Sequence, residues 1–110
     1  MQRTITGYTA TQTTVAVAAA STQVVGANPN RKYLGIFNVG GSAVTLNMAG
    51  GTATNVTGVV LGPANTDGTG GGHYETPAGL VPVNKITGIS ASGTANVIVV
   101  EGDGSETPQN

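Results

Sequence analysis

The chain has 110 residues, 18 of them glycine, with no cysteine and no tryptophan, and only 8% are charged against about 25% in ordinary soluble proteins. Four Lys and Arg residues cannot neutralise a run of nucleic-acid phosphates, and a net charge of -1 offers no field to steer an ionic partner. The length suits one domain with a modest core, and without cysteine neither a disulfide framework nor a thiolate metal centre can form.

Met1 to Thr6 carries one positive charge and then turns polar, so no secretory leader is expected. The longest apolar run, residues 15–20, falls far short of the roughly 20 residues of a membrane-spanning helix. Residues 1–25 read as an extended arm or as the first strands of the domain. Thr13 to Ala18 alternates small polar and apolar groups, and Thr22-Gln23-Val24-Val25 is a second short run. The Ala18-Ala19-Ala20 segment, flanked by Thr and Val, reads as strand or bend.

A turn cluster at residues 26–30 leads into the clearest strand, residues 31–39. Leu34, Ile36 and Asn38 share one face of it, and Tyr33, Gly35, Phe37 and Val39 the other. Gly40-Gly41 predicts a hairpin turn into residues 42–48, where Val44, Leu46 and Met48 form one face. Residues 55–61 predict a strand carrying Val56, Val59 and Leu61. The glycine-rich segment 62–72 predicts a contact loop or a mobile tip, followed by a short strand at His73-Tyr74-Glu75. Pro77-Ala78-Gly79 turns the chain toward residues 80–83.

Residues 85–90 and 94–101 bracket Ala91-Ser92-Gly93, a second hairpin signal. The last strand is apolar on both faces, with Val97 and Val99 on one and Ile98 and Val100 on the other. Such a strand is central in its sheet or covered by a partner. Residues 103–110 read as a polar, acidic tail, frayed for want of anything to pack. The expected fold is therefore all-β: a small antiparallel sandwich or barrel, jelly-roll-like, of about seven or eight short strands. It occupies residues 26–102, with an extended N-terminal arm.

The search for chemistry returns no catalytic, cofactor-binding or metal-binding residue. His73 is the one histidine, and none of Ser21, Ser42, Ser90, Ser92 or Ser105 sits in a nucleophile elbow. Asp67, His73 and Glu75 lack ligand spacing and share a glycine loop that looks too loose to hold geometry. Arg31-Lys32 reads as a solvated strand start. Of the aromatics Tyr8, Tyr33, Tyr74 and Phe37, Tyr33 and Phe37 share a face where core packing outweighs a sugar platform. The expectation is a protein without enzymatic activity and without a cofactor.

Two segments carry a resemblance. Arg31, Leu34, Ile36, Asn38, Gly40, Val44 and Leu46 follow a hairpin pattern, R-x-x-L-x-I-x-N-x-G-x-x-x-V-x-L, seen in small structural proteins of tailed bacteriophages. The end of the chain, Val81-Pro82 through Ile86, Ile89-Ser90, Ser92-Gly93-Thr94-Ala95, Val97, Val99 and Glu101-Gly102, resembles the usual close of those proteins. The likeness spans about residues 30–102 and rests on strand and turn types, so it transfers no functional residue. It implies a virion protein assembled in the host cytoplasm, a capsid decoration or cement protein, with a phage tail, head-fibre or receptor-binding (carbohydrate-binding) module as the alternative. Its implied partners are the major capsid protein and neighbouring copies of itself in a homo-oligomer, with no nucleic acid and no membrane.

Overall fold

The computed structural model describes residues 2–77 and 80–109, with side chains described for residues 9–77 and 80–103. Eight strands follow one another: β1 (Gln2–Val17), β2 (Thr22–Val25), β3 (Arg31–Asn38), β4 (Val44–Asn47), β5 (Val59–Leu61), β6 (His73–Glu75), β7 (Ile86–Ser90) and β8 (Ala95–Gln109). They form two four-stranded antiparallel sheets with orders β1-β8-β3-β6 and β2-β7-β4-β5. The pairing is nested: β1 with β8, β2 with β7, β3 with β6, and β4 with β5. Every link except β4 to β5 crosses from one sheet to the other.

The period-2 pattern places the core between the sheets. Val17, Leu34, Ile36, Ala95, Val97 and Val99 come from the first sheet, and Val24, Val44, Leu46, Leu61 and Ile86 from the second. All are buried, as the alternation of β3 predicts for Leu34 and Ile36. At ~25 cal/mol per Å² of apolar surface withdrawn from water, this two-sided layer is the main force holding the sheets together.

Neither predicted hairpin forms. β3 and β4 lie in different sheets, as do β7 and β8, so Gly40-Gly41 and Ala91-Ser92-Gly93 turn arches across the sandwich. An arch and a hairpin share turn chemistry and alternation. They differ in whether the flanking strands bond each other or face each other across a core. Here Asn38 decides for the arch. Its buried amide Nδ2 donates to the carbonyls of Ser42 (2.9 Å), Leu61 (3.1 Å) and Gly62 (3.0 Å), while its Oδ1 accepts from Gly40 N–H (2.9 Å). The two arches then clasp each other: Ser92 N–H donates to Ser42 Oγ and Ala91 N–H to the Ala43 carbonyl.

The C-terminal segment differs from expectation. Residues 2–17 form β1 in the domain's own sheet, and β8 runs through the acidic segment to Gln109 instead of fraying at residue 103. There β1 supplies backbone partners from Val17↔Ala95 out to Gln2↔Gln109. β3 accompanies β8 only as far as Asp103, so beyond it the sheet narrows to a two-stranded ribbon. Residues 18–20 are a bend. The predicted strand over 55–61 shrinks to β5, because Val56 has φ 55° and turns outward, 75% exposed. Ala78 and Gly79 lie outside the described residues.

Candidate functional site

β-Pairing lines up the outer face of the first sheet in rows. Thr14, Ile98, Phe37 and His73 form one row, and Gln12, Val100, Gly35 and Glu75 the next, with Tyr33 beside Gly102 beyond them. Phe37, Tyr33, Ile98 and Val100 are half-buried, while Gln12, Thr14, His73 and Glu75 are exposed. The Phe37 and His73 rings stack with centroids 5.6 Å apart and planes 16° off parallel. The Tyr33 hydroxyl donates to Glu75 Oε2 at 2.7 Å. Gly35 lets both aromatics settle onto the sheet: a Cβ there would stand 2.7 Å from the Tyr33 hydroxyl and 2.8 Å from the Phe37 ring.

Tyr33 and Phe37 are therefore surface residues, and the expectation that they pack in the core is corrected. The signal was present in the alternation. Once Leu34 and Ile36 face inward, Tyr33 and Phe37 must face outward. Tyr74, which pairs with Ile36, is the aromatic of β6 that packs against the core.

The outer face of the second sheet is different. The segment between β4 and β5 folds over it, and the sheet's outward threonines hold the segment in place. Thr45 Oγ1 accepts from Val56 N–H at 3.0 Å, and Thr87 Oγ1 donates to the Gly51 carbonyl. Ala53 N–H adds a bond to Ser21 Oγ at 2.9 Å. Thr45 and Thr87 are buried as a result.

Arg31 corrects a second expectation. It is not a solvated strand start but 1% exposed. Period 2 would put it outward with Tyr33, yet the register slips between the two: Arg31 pairs with Asp103 and Tyr33 with Gly102. The extra residue turns the guanidinium into the end of the sandwich, as a β-bulge does. There Nε donates to Glu101 Oε2 at 2.7 Å, Nη1 to the carbonyls of Pro82 (2.6 Å) and Asn84 (3.2 Å), and Nη2 to the Gly26 carbonyl. Asn28 Nδ2 reaches Glu101 (3.1 Å) and Asp103 (2.7 Å) in addition. This node binds the loops on either side to β8, which is a structural task.

Asp67, His73 and Glu75 do not converge on one cluster, although His73 and Glu75 share the outer face of β6. Asp67 accepts from the hydroxyl (2.6 Å) and the N–H (3.0 Å) of Thr69, which hold its carboxyl below the ordinary value. His73 is engaged with Phe37, and Glu75 with Tyr33. No group of three His, Cys, Asp or Glu suited to a metal ion occurs among the described residues. Nor is the glycine segment loose. Gly72 N–H bonds Gly62, Ala64 N–H bonds Gly40, and the Gly72 carbonyl accepts from Asn38 N–H. A Cβ at Gly71 would stand 1.9 Å from the Asn38 carbonyl oxygen, so only glycine fits.

The face thus offers aromatic planes, a hydroxyl–carboxylate pair and aliphatic side chains on a rigid sheet, and what it can do is bind. Comparison with known proteins adds no family: no family model matches the chain, and no curated protein and no solved structure matches it.

Proposed function

We propose that the protein is a non-enzymatic virion structural protein that decorates and stabilises a tailed-bacteriophage capsid. It would bind the major capsid protein lattice and neighbouring copies of itself. The observation that carries this reading is the outer face of the first sheet, where Phe37, Ile98 and Val100 are only half-buried and Glu75 is the one carboxylate in their rows. A weakly charged face loses little on desolvation, and repetition over a lattice multiplies a modest affinity. The resemblance of residues 30–102 to phage structural proteins points the same way. So does the nested pairing, which supports reading the sandwich as a jelly roll, an architecture common in viral capsid proteins and in lectins.

A second reading is supported by one specific arrangement. Phe37 and Tyr33 beside the Glu75 carboxylate give stacking planes and an acceptor for hydroxyls, the chemistry of a glycan-binding head-fibre or receptor-binding module. Quantifying the chain in purified particles separates the two. Decoration predicts hundreds of copies spread over the shell. A handful of copies at a vertex or tail overturns decoration and favours the second reading.

A further inference from the structure

The four sheet edges are unequal. β6 and β5 are three residues long, and β2 is four with a register slip between Gln23 and Val25. Such edges are too short or too irregular to template another strand. β1 is 16 residues long, and among the described residues no strand pairs with its side away from β8. In an antiparallel edge strand, alternate residues aim their N–H and C=O outward, so about eight residues of β1 present unpaired backbone groups. Of the usual protections β1 has one, a register slip between Ile5 and Gly7, and it leaves the run from Gly7 to Val17 in unbroken register. β1 contains no proline and no lysine, and its one charge, Arg3, lies at the far end.

We propose that β1 is a self-pairing edge. Two copies would join antiparallel along β1 about a two-fold axis, making one continuous eight-stranded sheet. A second copy is the partner that brings an open edge of the same length. Between Thr4 and Val17 neither strand carries a charge to repel the other, and a threonine-rich edge supplies the Thr–Thr neighbours that stabilise such a ladder. Opposed residues in an antiparallel pair point to the same side, so the two outer faces become one surface. Eight strands at roughly 4.8 Å spacing make it about 34 Å across. Phe37, Ile98 and Val100 of both copies would lie on it. The proposal deepens the self-association named above and rests on that part of the reading alone. The copy number in particles tests the capsid, whereas the solution measurements below test the edge.

The chain lacks cysteine, so single substitutions report one position each. Thr4→Cys, Thr9→Cys, Thr11→Cys, Thr13→Cys and Ala16→Cys scan β1, with Asn96→Cys on the face of the first sheet and Val60→Cys on β5 as controls. Opposed Cα atoms of an antiparallel pair, about 4.5–5.5 Å apart, lie within disulfide range, and each residue away from the axis adds about 7 Å. The expected result is a native mass twice that of the chain. Disulfide yield under mild oxidation should peak at one stretch of β1, at least ~10-fold above both controls, and fall on either side. A single-chain mass at every concentration overturns the proposal. So does a dimer that crosslinks at Asn96→Cys or Val60→Cys, or one whose yield is flat along β1.

Discussion

Thr45 and Thr87 on the second sheet and Phe37 and Ile98 on the first occupy equivalent positions: each points away from the core of the same sandwich. The threonines are buried because the segment between β4 and β5 is bonded across them. The apolar residues are only half-buried, and no hydrogen-bonded excursion crosses them among the described residues. The contrast is the reverse of a simple hydrophobic rule. At Thr45 and Thr87 a hydroxyl gives the passing segment somewhere to bond. Phe37 and Ile98 offer a passing segment no such anchor.

The largest effect should come from breaking what both faces share. Arg31→Ala removes the guanidinium from the closed end, leaving three carbonyls without this donor and Glu101, still held by Asn28, without its charged partner. Loss of one partner from a buried pair costs about 3–5 kcal/mol, measured here by denaturant unfolding. Arg31→Lys should not restore it, because an ammonium cannot span the same partners in a fork. Both faces should lose order together.

A matched pair of substitutions sharpens the contrast itself. Thr45→Val keeps shape but deprives Val56 N–H of its acceptor, and should cost about 1–2 kcal/mol while leaving any particle binding intact. Ile98→Thr on the bare face should cost less than about 1 kcal/mol in unfolding, since only part of the side chain is withdrawn from water. Binding to stripped particles should fall with Ile98→Thr and not with Thr45→Val. The opposite assignment would reverse the roles of the faces.

The smallest effect concerns pH. Hydrogen bonds from Thr69 hold the Asp67 carboxyl below its ordinary value, so the folded state favours the ionised form. That stabilisation is present above the ordinary carboxylate value and lost as pH falls through the lowered one. Asp67 is fully exposed, so Asp67→Asn should flatten the acid limb of a Tm-against-pH curve only slightly. Neither face should respond.

Much of this was legible in the residues. The faces of β3 follow from alternation, the doubly apolar run in β8 marks a central strand, and the turn clusters divide the strands. Three features were not. The arches around Gly40-Gly41 and Ala91-Ser92-Gly93 look like hairpins because turn chemistry is local, whereas the choice of sheet depends on contacts such as those of the buried Asn38 amide with the Ser42 carbonyl and the distant Leu61 and Gly62 carbonyls. The inward turn of Arg31 depends on a bulge, which costs one residue of register and leaves no compositional mark. The extension of β8 beyond Asp103 depends on β1, almost a full chain length away. For the site, alternation already required Tyr33 and Phe37 to face outward; aromatic bulk argued for the core and was the weaker guide. The stack on His73 and the bond to Glu75 needed the β3–β6 pairing, which 34 residues of loop and strand separate from Asn38 at its far end in no readable way.

The central claim is that the outer face of the first sheet is the surface a partner covers, and hydroxyl-radical footprinting of the chain, free and in purified particles, tests it most directly. The account predicts that side-chain oxidation of Tyr33, Phe37 and Ile98 falls several-fold in the particle while that of Val56 and Val60, exposed on the other side, is unchanged. Unchanged oxidation at Phe37 and Ile98, or protection confined to Val56 and Val60, would contradict it.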